Sequence, residues 1–167
     1  MKPNATFEQL PAEVLIPFLI ELVEAGKIVN LTVTGYSMMP LLRNEKDSVL
    51  LSKPEKLRLY DVVLYYDKDG KPILHRIVKK TPAGYMIVGD NQKTLDGPVA
   101  PEQIRAVAVG YYRDGIYFSA SAPCCRIYGF LWGRFRRIRG CLYPFVVFGG
   151  RILKRMMRLR KKHEMDS

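Results

Sequence analysis

Val29-Asn30-Leu31-Thr32-Val33-Thr34 is the stretch that decides the fold, because its apolar residues fall on every second position. That period belongs to a half-buried strand. Upstream the period is longer. Leu10, Val14, Leu15, Phe18, Leu19, Leu22 and Val23 recur at three- and four-residue intervals, which predicts an amphipathic helix over residues 7–25. Thr6 and Gln9 can form its capping box, Gly26 can close it, and Pro17 is expected to kink or divide it. Downstream, further strands are expected at Ser48–Ser52, Asp61–Tyr66, Ile73–Lys79, Tyr85–Val88, Ile104–Tyr112 and Ile116–Ser121. Asp67–Gly70, Thr81–Gly84 and Arg113–Gly115 carry the turn residues between them. Short strands joined by tight turns predict a mainly β (α+β) chain with an antiparallel sheet. Beyond Pro123 the pattern dissolves into arginine, glycine and aromatics until a helical stretch at Arg151–Lys162. The expected organisation is an N-terminal helix (1–26), a β domain (27–121) and a basic, aromatic tail (122–167) that is expected to be helical.

Charge separates the same regions. The chain has 167 residues and a net charge of +11. Residues 1–110 carry 14 Lys+Arg against 13 Asp+Glu, whereas residues 111–167 carry 13 against 3. Such a tail favours an anionic partner. Tyr128, Phe130, Leu131, Trp132 and Phe135 lie among its arginines, a mixture suited to an anionic membrane surface. Arg134-Phe135-Arg136-Arg137-Ile138-Arg139 also suits nucleic acid, the less favoured partner. No apolar run approaches the roughly 20 residues that span a bilayer, and no cleavable signal peptide is expected. Cys124, Cys125 and Cys141 lack Cys-x-x-Cys spacing, and His75 and His163 stand far apart. Neither a disulfide framework nor a metal or other cofactor is therefore expected. The expected location is cytoplasmic, peripheral to a membrane through the tail.

Three segments carry chemistry-bearing residues. Gly35-Tyr36-Ser37-Met38-Met39-Pro40 places a serine in a turn bracketed by backbone constraints, where Ser37 can present its hydroxyl and its own N–H can meet an oxyanion. Ile73-Leu74-His75-Arg76-Ile77-Val78 places the body's one histidine within an apolar strand, a pattern that also fits a core histidine satisfied by a neighbour. Gly89-Asp90-Asn91-Gln92-Lys93-Thr94-Leu95-Asp96-Gly97 reads as a polar loop with two acids, whose bland role is local turn formation. Together they supply a hydroxyl, a base and an acid, the three parts of serine-type acyl transfer.

From Leu31 to Gly110 the chain resembles the superfamily of signal peptidases and LexA-type self-cleaving repressors. Gly35–Pro40 is similar to its nucleophile box. Asp47 stands before a strand as is usual there, and Leu59-Tyr60-Asp61-Val62-Val63 is similar to the Gly-Asp-Val-Val strand, with Tyr60 in place of the glycine. His75-Arg76 falls where the endoplasmic-reticulum type has His-Arg, and Gly89-Asp90-Asn91 is the Gly-Asp-Asn box. The resemblance implies a signal-peptidase/LexA-like antiparallel β fold and a serine endopeptidase that removes a leader or signal segment from an extended peptide or protein substrate. It implies Ser37 as nucleophile and His75 as base, with Asp96 or Asp90 as the supporting acid. Met38 and Met39, beside Ser37, are expected to meet substrate. Gly35 departs from bacterial signal peptidases that carry a serine there, which leaves backbone N–H groups, Ser37's first, to form the oxyanion hole. An imidazole base implies activity rising through one ionisation near its ordinary value of ~6.5. The alternatives are a self-cleaving protein, with Ala25-Gly26 as the candidate bond, and a non-catalytic membrane- or nucleic-acid-binding protein on a peptidase-like scaffold.

Overall fold

The computed structural model describes residues 12–135, and the capping box at Thr6–Gln9 and the helix at Arg151–Lys162 lie outside them. Helix α1 (Ala12–Glu24) leads into strands β1 (Val29–Thr32), β2 (Ser48–Ser52), β3 (Val62–Tyr66), β4 (Pro72–Thr81), β5 (Gly84–Val88) and β6 (Asp96–Val99). A 3-10 turn (Pro101–Gln103) precedes β7 (Ile104–Arg113) and β8 (Ile116–Ser119), and helix α2 (Pro123–Arg134) follows. The result is a mainly antiparallel β sheet with two helices. Its strands run in the order β1-β2-β7-β3-β4-β5-β6, and β8 pairs with the far end of β7.

Helix α1 is continuous through Pro17, whose ring sits on the exposed face, so the expected break does not occur. Only one intrahelical N–H is lost there. The buried stripe is Ile16, Ile20 and Val23, flanked by half-buried Leu19 and Leu22, while Phe18 faces outward. Gly26 ends the helix at φ +79°, and the N–H groups of Gly26 and Lys27 donate to the carbonyls of Val23 and Leu22. This is the left-handed cap that glycine adopts without a Cβ penalty.

Strand β3 explains why the sheet needs two cores. Val62 and Leu64 pack with α1, β1 and β2, whereas Val63 and Tyr65 point into a second cluster with Ile77, Tyr85, Ile87, Val99 and Ile104. A strand buried on both faces reads as an unbroken apolar run, as Val62-Val63-Leu64-Tyr65 does. Fully burying such side chains contributes about 1.5–3 kcal/mol each, which makes β3 the hub of the sheet.

Two elements differ from expectation. Asp96–Val99 is a strand rather than loop, pairing with β5 through Tyr85↔Val99 and Ile87↔Asp96. Asp-Gly-Pro-Val has poor strand propensity, and Pro98 is tolerated because β6 is the sheet edge. Pro123–Arg134, where the sequence shows no clear helical period, is a helix.

Candidate active site

Backbone and side-chain hydrogen bonds hold the turn after β1. Val33 N–H donates to Asp47 O, and Glu45 N–H donates to Val33 O. Gly35 N–H donates to Asn44 Oδ1 at 2.6 Å. Gly35 has φ +88°, where a side chain would be strained, so a serine in its place would not sit comfortably. Arg43 grips buried Asp47 through Nε and Nη2, and also reaches Asp114. Arg113 Nη1 donates to Pro40 O at 2.7 Å. Beneath the turn, Met38 and Leu42 are 1% and 0% exposed in the α1-side core. Met38 therefore anchors the turn from below and presents no surface to a substrate, contrary to expectation. Met39 is half-buried, as is Ser37.

His75 lies on β4, opposite Val63 of β3, and is 3% exposed. Its Nδ1 is 2.8 Å from Asp96 Oδ2. The same oxygen accepts the Tyr65 hydroxyl at 2.9 Å. A carboxylate only accepts, so the proton sits on Nδ1 and Nε2 is left as the acceptor. Burial lowers the His75 pKa from its usual 6.5, and the opposing pull of Asp96 does not cancel it. The expectation of an ordinary imidazole ionisation is corrected to a lower one. Burial, reinforced by the bond to Asp96, drives the Tyr65 phenol well above its usual range, so it remains a donor.

Gly89 lies between the backbone of Ser37 and the His75 ring. A Cβ at position 89 would stand 2.8 Å from Ser37 O and 2.9 Å from His75 Nε2. The two atoms are thus no further apart than those distances combined, and only glycine leaves the gap between them open. The next peptide ties the loop to the serine, because Asn91 N–H donates to Ser37 O at 2.6 Å.

The two acids separate cleanly. Asp96 carries His75. Asp90, 2% exposed, forms a two-point pair with Arg76, Nε and Nη2 each lying 2.7 Å from a carboxylate oxygen. Arg76 Nη1 also donates to Tyr60 O. Asp90 is the ion-pair partner of Arg76 and acts on the imidazole through its charge rather than through a hydrogen bond. Tyr60 itself has φ +73°, a conformation that suits glycine, and its ring packs against α2 where Gly129 and Gly133 leave room.

Tyr65, Asn44 and helix α2 are the contributors that sequence reasoning missed. Tyr65 lies two residues beyond Val63, the partner of His75, and so shares its face of β3. Its burial in an apolar run made it look like core. Burial beside Cys124 pushes the Cys125 thiol up to about 12, which disfavours its thiolate at neutral pH.

No protein-family model matches the chain, and no characterised protein matches its sequence significantly.

Proposed function

We propose that the chain is a serine endopeptidase of the signal-peptidase/LexA-like kind, acting through Ser37, His75 and Asp96. The observation that carries this reading is the His75–Asp96 pair, joined through Nδ1, with Nε2 separated from the Ser37 backbone carbonyl by the space beside Gly89. In the reaction Ser37 Oγ attacks the peptide carbonyl carbon while His75 Nε2 takes its proton. The Ser37 N–H meets the oxyanion. Collapse breaks the C–N bond, and Nε2–H protonates the leaving amine. Water then repeats the sequence on the acyl-serine, releasing the acid and restoring Ser37. The Asp96 carboxylate holds the imidazole and offsets its positive charge in both halves.

Tyr36, 64% exposed beside Ser37, and half-buried Met39 are the side chains placed to meet an extended peptide. A panel of extended leader-like peptides with small residues at the cut bond tests the activity. Wild type is expected to cleave internally and Ser37→Ala to leave every peptide intact. Equal cleavage by both proteins would remove Ser37 from the mechanism.

The same reading includes peripheral attachment to an anionic membrane. Among the described residues no helix is long and apolar enough to cross a membrane. The outer side of α2 is apolar: Ile127 is 59% exposed and Leu131 36%, with Leu59 at 43% on the segment that Arg126 Nη2 contacts. No acidic residue lies between Asp114 and Glu164. Each basic residue beside an anionic leaflet adds ~1 kcal/mol, and the apolar contribution is not screened by salt. Sedimentation with phosphatidylcholine vesicles of increasing phosphatidylserine content is expected to rise with the anionic share. Moderate salt should weaken it, and Ile127→Ser/Leu131→Ser should weaken it further. A protein that ignores such vesicles but retards RNA would make the basic region a nucleic-acid element.

A further inference from the structure

Helix α2 does more than extend the body, because its inner face ends on the loop that holds the nucleophile. Trp132, 3% exposed, donates from Nε1 to the carbonyl oxygen of Asp90 at 2.7 Å. One turn earlier the Tyr128 hydroxyl donates to Asp90 Oδ2 at 3.0 Å. The two rings stack with centroids 5.4 Å apart, and Arg76 lies over the Tyr128 ring. The helix is fastened near its start as well, where Arg126 Nη1 donates to Asp61 Oδ1 at 2.6 Å. Gly129 and Gly133, four residues apart, let it settle against Arg76 and Tyr60.

The carbonyl of Asp90 and the N–H of Asn91 belong to one peptide group, which is planar and moves as a unit. Trp132 holds one end of that group. The other end donates to Ser37 O at 2.6 Å. Rotating the peptide away from Trp132 would turn the Asn91 N–H away from Ser37, and with it the backbone that aims the hydroxyl and the oxyanion donor.

We propose that Trp132, supported by Tyr128, is a positioning residue for Ser37, acting through the Asp90–Asn91 peptide. The inference rests on Ser37 being the nucleophile. It makes α2 a support of the catalytic site. A site whose geometry depends on a single shared peptide loses rate before it loses fold, since small misplacement of a nucleophile is costly.

Trp132→Phe in the full-length chain keeps the ring stack and removes the donor. Acylation of Ser37 by a fluorophosphonate is expected to slow about 10-fold, the effect of one well-placed hydrogen bond. Hydrogen exchange should quicken over residues 35–39 and 89–92 and stay unchanged in β2. Leu51→Val, on β2 in the α1-side core, supplies a destabilised control that should alter neither measurement. The proposal is overturned if Trp132→Phe acylates and exchanges like wild type, or if Leu51→Val slows acylation equally. If wild type fails to acylate while Trp132→Phe still loosens only those two segments, the positioning stands and the peptidase reading of Ser37 falls.

Discussion

His75→Ala is expected to lower kcat by about 10³-fold or more, because nucleophile, base and acid act as a unit and the loss of any member forfeits most of the gain. The pH dependence supplies an independent signature. Burial disfavours the imidazolium more than Asp96 favours it, so the folded His75 titrates below its ordinary 6.5. In the proposed mechanism the active form is the neutral imidazole. Wild-type kcat/KM should therefore be flat at neutral pH and fall as pH drops through an apparent pKa below 6.5. Lys79 and Lys80, the lysines of β4, are exposed, and Lys80 rests over the Tyr85 ring. Activity that appeared only above pH 8.5 and survived His75→Ala would move the base to a lysine.

The second large effect separates the two acids by different measurements. Asp96→Asn should retain the fold, as its side chain is 37% exposed, yet lose on the order of 10²–10⁴ in kcat because the amide no longer holds the Nδ1–H tautomer. Tyr65→Phe, which removes the other donor to the same carboxylate, should give a smaller loss in the same direction. Asp90→Asn should behave in the opposite way. It leaves the Arg76 guanidinium buried without its counter-charge, at a cost of about 3–5 kcal/mol in stability. Urea unfolding reads that loss, and acylation of the folded fraction reads the site. If Asp90→Asn unfolded normally and abolished acylation while Asp96→Asn stayed active, the supporting role would belong to Asp90.

Much of the frame was legible because its signals are local. The alternation of Val29–Val33, the turn residues at Asp67–Gly70 and Asp114–Gly115, and the unbroken apolar run of β3 each encode their own geometry. Asp114 and Gly115, for example, both take positive φ in the β7–β8 hairpin. Strand β6 was not legible, since Asp-Gly-Pro-Val owes its conformation to pairing with β5 and not to propensity. Helix α2 was hidden for another reason. Cys125, Tyr128, Gly129 and Trp132 have helical spacing, but Ile127, Phe130 and Leu131 put apolar residues on the opposite face and erase the contrast.

The site shows the same division. Ser37, His75 and Asp96 stand out as residue types, and the resemblance ordered them. Choosing Asp96 over Asp90 required distances, because both acids flank one loop and only the fold sends one to His75 and the other to Arg76. Met38 was misplaced by adjacency to Ser37: consecutive residues in a turn point to different sides, and this one points into the core. The Trp132–Asp90–Asn91–Ser37 connection spans 95 residues of sequence and has no local signature.

The most direct measurement is covalent labelling of the folded, full-length protein with a fluorophosphonate, read by intact mass and peptide mapping. One adduct is predicted, on Ser37, absent from Ser37→Ala and strongly slowed in His75→Ala. A folded wild type that takes no label, or one that labels equally well after Ser37→Ala, would contradict the account.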